Sequence, residues 1–578
     1  MKDPIGQHVE RLYGKEAAPR ITETLRALIR HHTPAQPAAP RGETLPLSER
    51  EALLIAYGDQ LREPGEPPLR TLARFCERRL RGVVSGVHLL PFYPYTSDDG
   101  FSVTDHFRID PELGGWADVR RLGKSFDLMF DAVFNHMSAQ SEWFHRFLAG
   151  DPEFADFFVT VEGNPNLSQV VRPRALPLLT RFHGASGEKQ VWTTFSADQV
   201  DLNFRNPSVL VKILEALLLY VANGAKFIRL DAIAYLWKDI GTTCIHLPET
   251  HRVIRLMRAV LDEVAPHVML ITETNVPHKD NVSYFGDGHN EAQLVYNFAL
   301  PPLVLHSLLT ADASKLTRWA QSLELPSRAV TFFNFLASHD GIGVNPARGI
   351  LSDAEIQNLV DRTQAQGGFI SHKHNPDGSK SPYELNITWF DAVSDPNAPE
   401  EDALRVQRFL VSQAIMLALA GVPGIYFHSL FGSRNDREGA LASNIHRRIN
   451  RQKFALAELE TELDAAGSLR SLVFAGYRRL LGVRREHAAF HPAGGQRVLE
   501  SSPKLFAVLR TSPDGTETIL CLHHVGAEPR ETVLPVADLE FHTDWIDLLT
   551  GDTFHANEAL HVPLAPFAVR WLQAKPVD

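Results

Sequence analysis

Eight short apolar runs alternate with amphipathic segments, and this alternation constrains the fold more than any other feature of the chain. Such runs, rich in β-branched and aromatic residues, are typical of buried strands. Strands that alternate with helices favour a parallel sheet with right-handed crossovers. The number of strands predicts a closed (β/α)8 TIM barrel, with an open sheet as the alternative. The predicted strands are 52–57, 86–92, 127–134, 227–232, 268–274, 294–299, 329–337 and 422–428.

The chain continues beyond this pattern at both ends and is interrupted by two long segments. The N-terminal part has helical spacing at 9–13 and 21–29 and then a proline-rich linker at 34–40. Short alternating runs after about residue 493 predict a small antiparallel β domain. The predicted divisions are an N-terminal helical extension (1–47), barrel portions (48–136, 206–340 and 401–492), inserted subdomain B (137–205), inserted loop subdomain B′ (341–400) and a C-terminal β domain (493–578).

Composition narrows the class of protein. An apolar content of 44% with 22% charged residues is ordinary for a globular protein. The net charge of -11 argues against nucleic-acid or acidic-membrane partners. The three cysteines are widely spaced and odd in number, which predicts reduced thiols instead of a disulfide framework or zinc cluster. We expect a cytoplasmic protein.

Two further features agree with that expectation. The N-terminus lacks the apolar core of a signal peptide. The longest apolar tract, 409–427, contains Gln413 and Pro423, so it predicts a buried helix followed by a strand instead of a membrane span.

Acidic and histidine side chains follow several predicted strands. Asp231, Glu273 and Asp340 come at the ends of the fourth, fifth and seventh strands, and 131–136 ends in His136. The carboxyl ends of barrel strands form the face that carries active sites. Structural ion pairs are the alternative reading of any one of these acids. Because three acids converge on one face, we predict a common pocket.

Two carboxylates with different roles are what glycoside cleavage requires. Arg229 lies two residues before Asp231 and therefore points to the same side of the strand. We expect its guanidinium to keep Asp231 ionised, as a nucleophile must be. Glu273 stands between two threonines without an adjacent cation, so it is the better candidate for a raised pKa and a general-acid role.

The segments 131–136, 227–232, 271–274 and 337–340 resemble, in order, the four signature regions of the α-amylase superfamily (glycoside hydrolase family 13). The resemblance extends from about residue 50 to the C-terminus. It implies a retaining enzyme. We expect no metal or organic cofactor, because the acids that bind calcium in many amylases have no match in the first long loop. The resemblance also implies that Asp231 is the nucleophile, Glu273 the acid/base and Asp340 the transition-state stabiliser, with His136, Arg229 and His339 beside them.

The same resemblance implies residues at the distal end of the sugar pocket. Asp98 resembles the acid that binds the distal hydroxyls of a glucosyl group, with Asp99 as its rival. Arg447, within 446–451, resembles a second cation at that end. Phe101 is either a stacking platform for the sugar or a buried core residue.

Within the superfamily, the finer resemblance is to the sucrose phosphorylase group. It rests on 87–92, 298–302, 342–344 and 447–451. In those enzymes inorganic phosphate attacks the glucosyl-enzyme and gives α-glucose 1-phosphate. Arg172 and Arg174 are candidates for the phosphate contacts, with a solvated basic patch as the alternative.

Several segments depart from sucrose phosphorylases and resemble glucosylglycerate phosphorylases instead. They are the extension with its segment 11–16, the run Tyr383-Glu384-Leu385-Asn386 where the sucrose enzymes have Tyr-Gln, and 427–429. D-glycerate is an anion, so this resemblance implies a cationic acceptor subsite. The candidate cations are His372, Lys373 and His374, with solvated surface side chains as the alternative. Glu384 is unfavourable beside two anionic reactants unless it pairs with one of those cations.

The expected function is therefore phosphorolysis of glucosylglycerate, with a sugar and inorganic phosphate as small-molecule partners. The alternatives are phosphorolysis of sucrose, sucrose 6-phosphate or glucosylglycerol, a plain α-glucosidase, and an inactive amylase-like binding subunit. The presence of all three acids argues against the inactive subunit.

Overall fold

The structure, a computed structural model, describes residues 3–32, 40–375, 377–540 and 542–575. Its centre is a closed barrel of parallel strands, which confirms the predicted TIM barrel over the open sheet. All eight predicted strands are present; seven are shorter than their apolar runs, and the fourth has the predicted length but begins two residues earlier. In chain order they are β1 (Leu53–Ala56), β2 (Gly86–Leu89), β3 (Asp127–Ala132), β4 (Ala225–Leu230), β5 (Met269–Thr272), β6 (Leu294–Tyr296), β7 (Thr331–Phe335) and β8 (Val422–Tyr426).

The barrel closes where β8 pairs with β1, in the register Leu53 to Gly424. Gly424 is required by packing inside the barrel. A Cβ atom at this position would lie 2.3 Å from Cζ of Phe333 on neighbouring β7, which is closer than two non-bonded carbon atoms can approach. The aromatic ring of β7 therefore occupies the space that a side chain on β8 would need.

Helices surround the barrel and bury their apolar faces against it. The helix Asp402–Ala418 runs into β8, as the long apolar tract predicts. The helices that pack after β1 to β4 and β6 to β8 are Pro68–Arg79, Trp116–Leu122, Pro207–Ala222, Pro248–Val264, Leu300–Thr310, Asp402–Ala418 and Leu469–Glu486. Further helices are His278–Asn281, Ser314–Gln321, Trp389–Val393, Phe427–Leu430, Arg437–Ser443 and Leu456–Asp464.

The N-terminal extension forms one kinked helix, α1 (Pro4–His32), with the kink at Gly14. It packs against the barrel helices Pro207–Ala222 and Pro248–Val264. The Tyr13 hydroxyl donates a hydrogen bond to the Phe204 carbonyl at 2.9 Å. The buried side chains of α1 are Ile5, Val9, Ala18, Ile21, Leu25 and Ile29. The predicted linker lies largely at 33–39, outside the described residues.

Two insertions stand at the carboxyl ends of β3 and β7. The first contains a helix and two antiparallel strand pairs, and the second contains a helix and a three-stranded antiparallel sheet. The elements of the first are His136–Ser138, Glu142–Leu148, Leu179–Gly184, Gly187–Trp192 and Gln199–Asp201. Those of the second are Ile342–Gly343, Asp353–Ala365, Phe369–His374 and Lys380–Asn386.

The C-terminal part is antiparallel β structure with a hydrophobic cluster of its own, as predicted. Its strands are Gly495–Leu499, Leu505–Thr511, Thr518–His524, Arg530–Pro535, Asp544–Asp547, Thr553–His555, Ala559–Leu564 and Val569–Ala574. The three cysteines are buried and unpaired. Within the described ranges, every helix is too short or too polar to cross a bilayer.

Candidate active site

The three predicted acids line one narrow pocket at the carboxyl end of the barrel. Asp231 directly follows β4, Glu273 directly follows β5, and Asp340 lies on the loop after β7. The backbone turns sharply after Asp231, because Ala232 has a φ of 48°. This turn lets the Ala232 N–H donate a hydrogen bond to Glu273 Oε2 at 3.0 Å. The backbone of one strand end thereby holds the side chain of the next.

Arg229 connects the acids at the floor of the pocket. Its Nη1 donates to Asp231 Oδ1 at 2.8 Å and also to Asp131, while its Nη2 lies 3.8 Å from Glu273 Oε2. Asp131 is held from the other side by His88 Nε2 at 2.7 Å. One buried guanidinium thus contacts both candidate catalytic carboxylates, which places them around the same small space.

Burial is the largest influence on both carboxyl groups. It raises the pKa of Asp231, with the charge of Glu273 adding to the shift, and it raises the pKa of Glu273 as well. Arg229 lowers both pKa values but does not outweigh burial, so the expectation that Arg229 keeps Asp231 ionised depends on which carboxyl group of the pair holds a proton. Because Arg229 hydrogen-bonds Asp231 and only approaches Glu273, a proton shared by the pair is best placed on Glu273. With the proton on Glu273, Asp231 is ionised as a nucleophile must be, and Glu273 can act as the proton donor.

Asp340 has the opposite environment. Burial disfavours its charge, but Arg447 Nη1 at 2.8 Å, His339 Nε2 at 3.3 Å and Arg451 Nη2 at 3.6 Å together lower its pKa. Asp340 is therefore held as a carboxylate, whereas burial favours the protonated form of Glu273.

Glu384 pairs with a cation, but its partner is Arg447, so the prediction that one of the loop cations near residue 373 pairs with it is wrong. Its two carboxylate oxygens each lie 2.7 Å from Arg447 Nη2. The candidate loop cations His372, Lys373 and His374 are all absent from the described lining of the pocket. They lie in the strand Phe369–His374, and Lys373 Nζ donates instead to the Asn345 side chain at 2.9 Å.

The remaining predicted residues, Asp98, Phe101, His136, Arg174, His339, Tyr383 and Arg447, all line the pocket. Phe101 stacks on His339, with ring centroids 4.6 Å apart and an interplanar angle of 3°. Arg174 Nη2 lies 3.8 Å from Asp98 Oδ2. Arg172, in contrast, donates to the Leu176 carbonyl and stands outside the described lining.

Several residues of the site were not predicted from the sequence. Arg451, outside the described pocket lining, contacts Asp98 at 3.9 Å in addition to Arg174, whereas Arg447 binds Asp340 and Glu384. The only sequence signal for Arg451 was its place in the same arginine-rich segment. Further lining residues are Phe195, Gln199, Tyr235, Asn275 and Phe298.

Comparison with known proteins agrees with this geometry. The family model described as the α-amylase catalytic domain matches residues 82–341. A glucosylglycerate phosphorylase from Allomeiothermus silvanus is 54% identical over 92% of this chain and 94% of its own length. A second, from Spirochaeta thermophila, is 50% identical over 97% of each chain.

A solved structure extends the comparison to three dimensions. The sucrose 6F-phosphate phosphorylase from Thermoanaerobacter thermosaccharolyticum superposes with a TM-score of 0.72 at 25% identity, covering 89% of this chain and 98% of that one. The barrel, the shared pocket acids and these relatives lead to one conclusion: the chain belongs to the α-amylase family, in the branch that contains the glycoside phosphorylases.

Proposed function

We propose that this protein is a retaining phosphorylase that transfers the glucosyl group of glucosylglycerate to inorganic phosphate, giving α-glucose 1-phosphate and D-glycerate. The observation that carries the proposal is the placement of Asp231 and Glu273 around the Arg229 guanidinium in one pocket. Retaining chemistry needs such a pair, with one carboxylate as nucleophile and one carboxylic acid as proton donor.

In the first step, an Asp231 carboxylate oxygen attacks the anomeric carbon while the bond to the glycerate oxygen breaks. Glu273 gives its proton to that oxygen, so D-glycerate leaves as a neutral hydroxyl at the cleaved position. The products are a glucosyl ester on Asp231 and an ionised Glu273. The raised pKa of Glu273 supports this role, because burial keeps its proton in place until the leaving group takes it.

In the second step, a phosphate oxygen attacks the same carbon from the face that glycerate left. Glu273 accepts the proton of the attacking oxygen, and the ester bond to Asp231 breaks. Two inversions give net retention and release α-glucose 1-phosphate. Asp340, held as a carboxylate by Arg447, is suited to accept hydrogen bonds from the sugar hydroxyls during both steps.

Phosphate and D-glycerate are anions, so their binding requires a cation in the pocket that does not already form a close ion pair with a carboxylate. Of the two arginines in the described lining, Arg447 is already bound by Asp340 and Glu384. Arg174 is only 3.8 Å from its nearest carboxylate, Asp98. We therefore assign phosphate or glycerate binding to Arg174. The choice of glycerate over other acceptors rests on the two relatives described above.

The test is to incubate the protein with inorganic phosphate and each of four donors: glucosylglycerate, sucrose, sucrose 6-phosphate and glucosylglycerol. Glucose 1-phosphate and free glucose are then measured separately. We expect glucose 1-phosphate from glucosylglycerate at the highest kcat/KM. A higher kcat/KM with another donor would show that this donor, and not glucosylglycerate, is the substrate. Free glucose as the sole product would show that the protein is a hydrolase and not a phosphorylase.

A further inference from the structure

Asp98 and Asp99 are adjacent in the chain but face different spaces. Asp98 lines the catalytic pocket, whereas Asp99 lines a separate cleft of about 590 Å³ on the other side of the same turn. Arg448 and Arg451 line that outer cleft together with Asp99. The turn 98–100 is therefore part of the wall between the two spaces.

The backbone of this turn is strained. Asp98 has a φ of 52° and Asp99 a φ of 48°, so two consecutive non-glycine residues adopt the left-handed conformation. Such residues persist only where their surroundings hold them. The next residue, Gly100, is pressed against the chain, because a Cβ atom there would lie 2.9 Å from the Pro91 carbonyl oxygen.

Two arginines hold the turn through Asp99. Arg448 Nη2 lies 2.6 Å from Asp99 Oδ1, and Arg451 Nη1 lies 2.8 Å from Asp99 Oδ2. Arg451 is fully buried, and its Nε donates to the His339 carbonyl at 2.7 Å. Asp99 is thereby tied to the loop after β7 that carries Asp340.

The alternative interpretation is a surface ion pair that contributes little to stability. It applies to Arg448 by itself, since 42% of that side chain is exposed and exposed ion pairs stabilise a fold only slightly. It does not fit Arg451, whose side chain is 1% exposed and also lies 3.9 Å from Asp98 and 3.6 Å from Asp340. A buried cation shared by both aspartates and Asp340 fixes their relative positions.

We propose that Asp99, together with Arg448 and Arg451, is a positioning latch that holds Asp98 against the distal hydroxyls of the bound glucosyl group. None of its three side chains is in the described lining of the catalytic pocket, so the latch acts through the strained turn and through the contacts of Arg451 with Asp98 and Asp340. The inference rests on the proposed function for the role of Asp98. It predicts that breaking the latch weakens recognition of the sugar while leaving recognition of phosphate and D-glycerate intact.

Two substitutions break the latch with little risk to folding. Asp99→Asn removes the charge but keeps a residue that tolerates the left-handed conformation. Arg448→Gln removes an exposed guanidinium. The matched control is Arg62→Gln, because Arg62 lines the same cleft and pairs with Asp59 at 2.8 Å. Tm is measured for all variants.

The first readout is the affinity for D-glucose and D-galactose, which differ at the C4 hydroxyl, measured by titration calorimetry. We expect Asp99→Asn and Arg448→Gln to weaken D-glucose binding by about fivefold, the effect of losing one modest hydrogen bond. We also expect the ratio of the affinity for D-glucose to the affinity for D-galactose to decrease. The control keeps the wild-type values. Unchanged affinity and preference in both latch variants would overturn the inference.

The second readout is kinetic. The KM values for glucosylglycerate and glucose 1-phosphate should rise together, while those for phosphate and D-glycerate stay constant. A parallel rise in all four KM values would indicate a general loss of order in the active site and would also overturn the latch. If the wild type forms no glucose 1-phosphate, the proposed function fails, and the calorimetric comparison still decides the latch.

Discussion

Glu384 and Arg447 form a buried ion pair in the wall of the pocket, with both carboxylate oxygens 2.7 Å from Arg447 Nη2. The opposite side of the same guanidinium binds Asp340 at 2.8 Å. A carboxylate beside a site for anionic reactants would otherwise repel them, and its partner removes most of that repulsion. Glu384 therefore acts as a clamp on the arginine that holds Asp340.

Replacing Glu384 with Gln should lower kcat by about tenfold and also lower Tm, because one member of a buried ion pair is lost. The measurement is steady-state phosphorolysis together with thermal unfolding. Glu400→Gln is the matched control: Glu400 also forms two 2.7 Å hydrogen bonds with an arginine, Arg408, but lies outside the described pocket lining. Equal activity of the two variants would refute the clamp.

Arg174 and Arg172 offer a second matched pair. Arg174→Gln should raise the KM for phosphate or for D-glycerate by about tenfold, the loss expected for one charge-assisted hydrogen bond. Arg172→Gln should leave both KM values unchanged, because that side chain is outside the described lining of the pocket. Initial rates in both reaction directions check this. A larger effect at Arg172 than at Arg174 would contradict the assignment.

The raised pKa of Glu273 predicts a stability effect with a definite sign. Its folded-state pKa lies above the ordinary value of 4.5, so its contribution to stability is present below pH 4.5 and is lost as pH rises through the raised pKa. Glu273→Gln should therefore raise Tm relative to wild type at pH 7.5, with a smaller gain at pH 5. Thermal unfolding at both pH values measures the difference. An equal or larger gain at pH 5 would show that burial does not raise this pKa.

The N-terminal helix α1 should contribute to the stability of the barrel that it covers. Leu25 is 1% exposed, so Leu25→Ala should cost about 2–4 kcal/mol through lost burial and the cavity left behind. Denaturant unfolding measures this. Leu441→Ala is the control, since Leu441 is 64% exposed. Equal stability of the two variants would mean that α1 does not contribute to the cooperative unit.

The barrel and its acids could be predicted from the sequence because both follow from short-range pattern. Each barrel strand is an apolar run, and Arg229 and Asp231 share a face through the two-residue period of a strand. The side chains at the strand ends then converge because the barrel closes.

The loop residues could not be predicted in this way. Arg447 and Arg451 stand four residues apart in one segment, and only tertiary contacts decide that the second reaches Asp98. Phe195 and Gln199 come from an insertion without periodicity, so no local pattern marks them as part of the pocket. The partner of Glu384 lies in a segment 63 residues away.

The most direct test of the two-step mechanism is to trap the glucosyl ester on Asp231. The variant Glu273→Gln is mixed with α-glucosyl fluoride, whose leaving group needs no acid, and peptides are analysed by mass spectrometry. The two-step mechanism predicts one added glucosyl group on the peptide that contains Asp231, and none when Asp231→Ala is combined with Glu273→Gln. A glucosyl group on any other residue, or turnover by Asp231→Ala within about tenfold of wild type, would contradict it.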